Sequence, residues 1–286
     1  MNCVEERTMF SMRFRPYFYP LATLLLAAVS AAEQSPINVT LTRLDCGKTQ
    51  TVNDLSAFTD VSGFQGLALQ LTFSCYLIKH GNDYLLWDTG NPLAKGPGAR
   101  PTSPDVSLTA QLSQLHVTPA QITFVGISHY HWDHIGQLPF FPDSTLLIGT
   151  GDWNALTSAK PAEMVEPADF AHWISGGGKV QTATGDKDVF GDGSVIMLNT
   201  PGHTPGHHSL LVKLKESGNI LITGDLAHFR ENYDSNGVPT FNTSRAETLA
   251  SLDRFKKLAA NLHATVIISH DVRDLGKLPA FPNFAK

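Results

Sequence analysis

Cysteine is scarce here, with three residues in a chain of 286. Cys3 lies in an N-terminal segment of leader-like order, which leaves Cys46 and Cys75. Neither is placed as a metal ligand, so thiolate chemistry is not expected. In an oxidising compartment two such residues invite a disulfide, yet two buried free thiols fit the sequence equally well. Basic side chains are also thin: 21 Lys and Arg stand against 26 Asp and Glu, for a net charge of −5. They form no stripe or run, which argues against nucleic acid and anionic membrane surfaces as partners. No apolar run approaches the ~20 residues of a membrane span. The nearest, Leu21 to Val29, follows Arg13 and Arg15 and precedes Ser30-Ala-Ala32 and Glu33. Basic, then apolar, then small is the order of a secretory signal peptide. Residues 1–32 are therefore expected to be a cleaved leader, with Met12 as a natural start, and the protein to be periplasmic or secreted. An uncleaved anchor is the alternative.

Histidine, by contrast, is concentrated. Phe124-Val-Gly-Ile-Ser-His129-Tyr-His131-Trp-Asp133-His134 reads as a buried strand running into a tight loop. The run Ile122 to Ile127 has the length and branching of a strand covered on both faces. Alternate residues of an extended chain point the same way, so His129 and His131 can share one metal. Asp133 and His134, past the bend, are free to face a second. Imidazole and carboxylate are borderline-to-hard ligands that suit Zn²⁺ and its neighbours. As ordinary loop residues, four such side chains within six positions would be a costly accident.

His129-x-His131-x-Asp133-His134 resembles the signature of the metallo-β-lactamase superfamily. That resemblance calls for a later His, an Asp after a strand and a final His after another strand. The chain offers His203 in Thr200-Pro-Gly-His-Thr-Pro-Gly-His, Asp225 in Leu221-Ile-Thr-Gly-Asp, and His270 in Val266-Ile-Ile-Ser-His. The order matches, and the likeness runs through nearly all of the chain after residue 40. It implies an α+β fold, the four-layer αβ/βα sandwich. It also implies two divalent metal ions, expected to be Zn²⁺ with Fe, Co or Mn as alternatives. His129, His131 and His203 would hold one ion, Asp133, His134 and His270 the other, and Asp225 would bridge them. An Asp at the position of Asp88 would support the metal loops without ligating metal.

The rest of the chain fits one large core, so residues 33–286 are expected to form a single hydrolase domain. Thr40 to Cys46 and Gly66 to Lys79 read as strands, and Tyr84 to Trp87 returns across the turn at His80, a histidine expected to be solvated. Leu108, Leu112 and Leu115 have helical spacing, and Thr118-Pro119 looks like the start of a second short helix. Ala155 to Gly178 has no clean period and is expected to wrap over the pocket as a lid. Strands follow at Val195 to Leu198, Ser209 to Leu214 and Ile220 to Thr223. Ser244-Arg-Ala-Glu247 is a capping box opening an amphipathic helix, and Thr265 to Ser269 is the last strand.

A water held between two such cations is hydroxide at neutral pH, and the pair can polarise a carbonyl, which describes hydrolysis without a protein nucleophile. Asp133 could carry the proton to the leaving group. The hairpin Tyr76 to Gly90 and the Thr200 to Leu210 loop look most like those of the N-acyl-homoserine lactonases, which open the lactone ring of bacterial quorum signals. The resemblance thus implies a small-molecule lactone or related ester as substrate; a homodimer is compatible with it. The alternative is a promiscuous β-lactamase-like, aryl ester or organophosphate hydrolase on the same metals. One departure stands out. Many lactonases of this group carry a Tyr three residues after the bridging Asp, where this chain has His228. His228 could substitute by donating a hydrogen bond or acting as general acid, or Tyr233 could reach in from the same loop. His207 and His208 are expected to be supporting residues. Phe140, Phe141, Trp153 and Trp173 are candidates for an acyl-chain groove.

Overall fold

The computed structural model describes residues 38–52, 54–62, 64, 66–93, 100–159 and 164–286. The leader expected over residues 1–32 lies outside them. Two sheets carry the fold. The first is ordered β1 (Val39–Val52), β2 (Leu69–His80), β3 (Asp83–Trp87), β4 (Phe124–Gly126), β5 (Thr145–Gly149) and β6 (Val180–Ala183). Its first three strands are antiparallel neighbours, and β3 to β6 run parallel. The second sheet is ordered β11 (Thr265–Ile267), β10 (Gly218–Ile222), β9 (His208–Leu214), β8 (Val195–Asn199) and β7 (Lys187–Asp188).

Strand alternation decides what each face buries. Tyr76 and Ile78 of β2, with Leu85 and Trp87 of β3, point inward against Val195, Leu210, Val212 and Ile222 of the second sheet. Their neighbours Cys75, Leu77 and Leu86 point outward and pack under α1 (Leu108–Gln114) and α3 (Thr150–Thr157). Leu198, Leu211 and Leu221 of the second sheet pack outward against Leu252, Phe255 and Ala259 of α6 (Arg245–Asn261). Period-2 strands buried on both faces and helices with one apolar stripe leave helix–sheet–sheet–helix as the packing. This is the expected α+β sandwich.

Several local expectations change. The two-cysteine question resolves to a disulfide, Cys46–Cys75, with Cα atoms 5.9 Å apart. The register between β1 and β2 shifts between Asp45 and Lys48, a bulge that brings Cys46 across to Cys75. His80 is buried rather than solvated. It stacks on Phe190 at 4.1 Å, and its Nε2 lies 2.8 Å from Asp192 Oδ2. The hairpin turn meets the loop ahead of β8, a contact no local pattern announces. The helix expected at Thr118-Pro119 is a single 3-10 turn, Pro119–Gln121. Within Ala155 to Gly178, Phe170 and Trp173, the latter on the one-turn helix α4 (Ala171–Ile174), are buried in the core outside the first sheet. Met164 lines the cavity described below, and Val165 makes a β-bridge to His131. Only half of the expected capping box forms: Ser244 Oγ accepts from Glu247 N, whereas the Ser244 N–H donates to Gly202 O. That second bond ties the start of α6 to the loop carrying His203.

Candidate metal centre

Parallel β3, β4 and β5 end along one edge of the first sheet, and the histidine loop leaves from the middle strand. Asp88, directly after β3, takes the Ser128 N–H at 2.6 Å and His134 Nδ1 at 2.9 Å. His131 is the N-cap of the one-turn helix α2 (Trp132–Ile135), so the chain turns there and sends Asp133 and His134 away from His129 and His131.

Two clusters result. His129 Nε2, His131 Nδ1 and His203 Nε2 lie 2.9, 2.9 and 3.1 Å from one another. The second cluster joins Asp133, His134, Asp225 and His270. Asp225 belongs to both. Its Oδ1 lies 2.8 Å from His270 Nε2 and 3.1 Å from His134 Nε2. Its Oδ2 lies 3.3 Å from His203 Nε2 and 3.1 Å from His228 Nε2.

The outer nitrogens show which way the lone pairs face. His203 Nδ1 is 2.8 Å from Asn242 Oδ1, His134 Nδ1 is 2.9 Å from Asp88 Oδ2, and His270 Nδ1 is 2.9 Å from Thr72 O. These acceptors place the ring N–H at Nδ1 and turn the Nε2 lone pairs inward. Converging lone pairs repel unless a cation sits among them. The spacing approaches the ~3.3 Å between nitrogens that are each ~2.0 Å from a tetrahedral ion. Burial, then the neighbouring His203 imidazole, pushes His131 down to about 3 against the pull of Asp133 and Asp225, and burial does the same for His203, so both are neutral and ready to ligate. His134 is the opposite case. Burial works against it, yet the Asp225, Asp88 and Asp133 carboxylates hold it well above the ordinary range. This half of the centre demands positive charge. The donor set therefore suits two metal ions.

His207 lies beside the cluster and is turned away from it. Its Nε2 accepts the Asp225 backbone N–H at 2.9 Å, and its Nδ1 faces Thr200 O at 2.9 Å. Gly224 takes a φ of +58° here, and a Cβ on it would come within 2.7 Å of His207 Nε2. His208 Nδ1 faces Gly206 O at 2.7 Å. Both histidines hold backbone, as expected of supporting residues.

A cavity of about 320 Å³ opens over the centre. His131, Asp133, Asp225, His228 and His270 form its floor, and Val52, Phe58, Leu71, Phe73, Trp132 and Phe241 are among its walls. His228 is buried between Phe58 and Phe241, its Nε2 toward Asp225 and its Nδ1 without a hydrogen-bond partner among the described residues.

Residues 73–270 match the metallo-beta-lactamase superfamily profile. The chain belongs to that superfamily. Among curated proteins it is 27% identical to N-acyl homoserine lactonase AttM of Azorhizobium caulinodans, over 77% of this chain and 88% of that one. It is 30% identical to the AttM of Agrobacterium fabrum, over 63% and 70%. A crystal structure of a quorum-quenching N-acyl homoserine lactone lactonase superposes with a TM-score of 0.74 at 24% identity. That match covers 87% of this chain and 99% of the other.

Within this superfamily scaffold the seven expected ligands all converge, and so does His228. Tyr233 does not. From α5 (Arg230–Ser235) it packs against Phe255 on α6, with Lys256 Nζ over its ring at 4.9 Å. The expected acyl-groove aromatics also lie elsewhere. Phe141 and Trp173 are buried in the core, Trp153 packs against it, and Phe140 is exposed. The cavity takes its aromatic walls from Phe58, Phe73, Trp132 and Phe241 instead. Phe58 and Phe241 stand in segments with no period to mark their direction, so only their ring type hinted at a role.

Proposed function

We propose that the protein is a two-metal hydrolase that opens the ring ester of N-acyl-homoserine lactones. The observation that carries this reading is the Asp225 carboxylate, which faces both ligand clusters beneath an apolar-walled cavity. The activity named for the AttM relatives supports it. His129, His131 and His203 would hold one cation, Asp133, His134 and His270 the other, and Asp225 both. When bound, the two cations supply the Lewis acidity that activates water and polarises the lactone carbonyl. A donor set of imidazoles and carboxylates favours Zn²⁺, with Fe, Co or Mn as alternatives.

The chain's own residues do the rest. The apolar walls take the acyl chain and exclude water from the ester. His228 Nε2 reaches the same space as Asp225 Oδ2 and can donate a hydrogen bond to the carbonyl oxygen of the ring. Asp133, half-buried at the cavity floor, is placed to take the proton that the attacking water gives up and pass it to the ring oxygen as its bond to the carbonyl carbon breaks. His207 holds the Asp225 backbone, and Asp88 holds the His134 ring. Export belongs to the same proposal; the order of residues 13–32 and the disulfide Cys46–Cys75 support it.

The test is ring opening by metal-replete protein on short- and long-chain acyl-homoserine lactones, beside a β-lactam and an aryl phosphotriester. Lactones should give by far the highest kcat/KM, and Asp225→Ala should abolish it. A β-lactam or phosphotriester turned over better than any lactone would overturn the lactonase reading.

A further inference from the structure

Asp152 is a fully buried carboxylate that the mechanism above does not use. It lies in the first turn of α3, just past β5, and its partners are neutral donors. Gly206 N donates to Oδ1 at 2.6 Å and Thr204 Oγ1 to Oδ2 at 2.9 Å, and the Tyr130 backbone N–H faces the same carboxylate. Tyr130 sits between His129 and His131, and Thr204 directly follows His203. One side chain thus joins the two loops that supply the three-histidine cluster, one from each sheet. The backbone is fitted to this contact. A Cβ on Gly149 would lie 1.9 Å from Gly206 O, and one on Gly206 would lie 2.3 Å from Asp152 N. Only glycines allow the turn after β5 and the His203 loop to touch main chain to main chain.

The placement repeats that of Asp88 on the other side of β4. Asp88 follows β3 and Asp152 follows β5, so the histidine loop is braced from both flanking strands by carboxylates. Burying a carboxylate among neutral donors is unfavourable unless its bonds are needed. Burial pushes this one up to about 7.

We propose that Asp152 is a positioning residue for the three-histidine half of the centre, fixing His203 against the His129–His131 pair and so setting that half's affinity for a cation. The inference rests on reading the two clusters as cation sites. Outer partners that orient ligands are worth about 10- to 100-fold in metal affinity, and selective weakening of one half separates this role from a general contribution to folding.

The experiment titrates Zn²⁺-loaded protein with a chromophoric chelator for wild type, Asp152→Ala and Thr204→Val, and locates the remaining metal by anomalous scattering from crystals. Wild type should hold two equivalents. Asp152→Ala should bind one of them about 10- to 100-fold more weakly, with the loss at the three-histidine half and the other equivalent kept. Thr204→Val, which leaves the Gly206 bond and the Tyr130 N–H facing the carboxylate, should weaken the same equivalent less. If Asp152→Ala does not fold, Thr204→Val decides alone. Variants that keep two equivalents at wild-type affinity, or that weaken both equally, overturn the proposal. A wild type that binds fewer than two overturns the two-cation reading and this inference with it.

Discussion

His228 puts an imidazole where the cavity floor meets its aromatic wall, with Nε2 3.1 Å from Asp225 Oδ2 and the ring edge-on to Phe58. Removing one hydrogen-bond donor aimed at developing charge costs roughly 10²–10³ in rate. His228→Phe should therefore lower kcat by about that factor while the bound metal, measured by elemental analysis, stays at wild-type content. A variant within a few-fold of wild type would remove His228 from the reaction. Asp152 carries a pH signature. An Asp in an unfolded chain titrates near ~3.9, and burial, against the bonds from Thr204 and Gly206 and the facing Tyr130 N–H, raises this one to about 7. The folded state holds the proton more tightly. Its contribution is therefore complete below the unfolded value and is lost as pH rises through about 7. Asp152→Asn, which cannot ionise, should gain in Tm on the wild type between pH 5 and 8 when both are metal-free. A difference flat across that window would refute burial as the cause. At this scale the ligands were legible because metal chemistry concentrates rare residue types at strand ends. Asp152 was not, since its partners are backbone groups of distant loops.

Among the elements, the β1 bulge and the disulfide it allows bear most directly on stability. The bond closes a separation of 29 residues between two buried strands. A loop of that size is worth about 3.6 kcal/mol, or about 7–14 °C of Tm in a domain this large. The Cys46→Ser, Cys75→Ser double variant should show that drop in thermal unfolding, and reduced wild type should approach it. Equal midpoints with and without reductant would mean the bridge contributes nothing. Strands were well anticipated wherever alternation or a continuous apolar run persisted, as in β2, β9 and β10. The bulge broke that alternation, so the pairing of Cys46 with Cys75 could not be read from their spacing. His80 failed for a related reason: its partners Phe190 and Asp192 lie more than a hundred positions away. The aperiodic stretch before Gly178 hid Phe170 and Trp173, whose burial depends on a core assembled from other elements.

For the molecule as a whole, the cavity predicts a preference for longer acyl chains. Each methylene moved from water to an apolar wall is worth ~0.8 kcal/mol. Phe241→Ala opens that wall and should lower kcat/KM for long-chain lactones roughly tenfold, with little change for the shortest. Uniform loss across chain lengths would place Phe241 in general packing instead. The sandwich itself was legible because two-sided strands and one-sided helices leave few ways to pack. Which loops would overhang the centre was not, because their directions are set by the assembled sheets.

The floor of the cavity is anchored at strand ends and braced by buried carboxylates, while Phe58 and Phe241 come from connecting segments. Two genetic modules therefore share one site. Mutation can recolour these two walls while every ligand position beneath keeps its residue, provided His228 and His203 still find packing at their rings, and a lineage could drift between substrates while remaining an enzyme throughout. For a laboratory that wants a new specificity, codons 58 and 241 are the place to randomise, and the histidine codons are the place to leave alone.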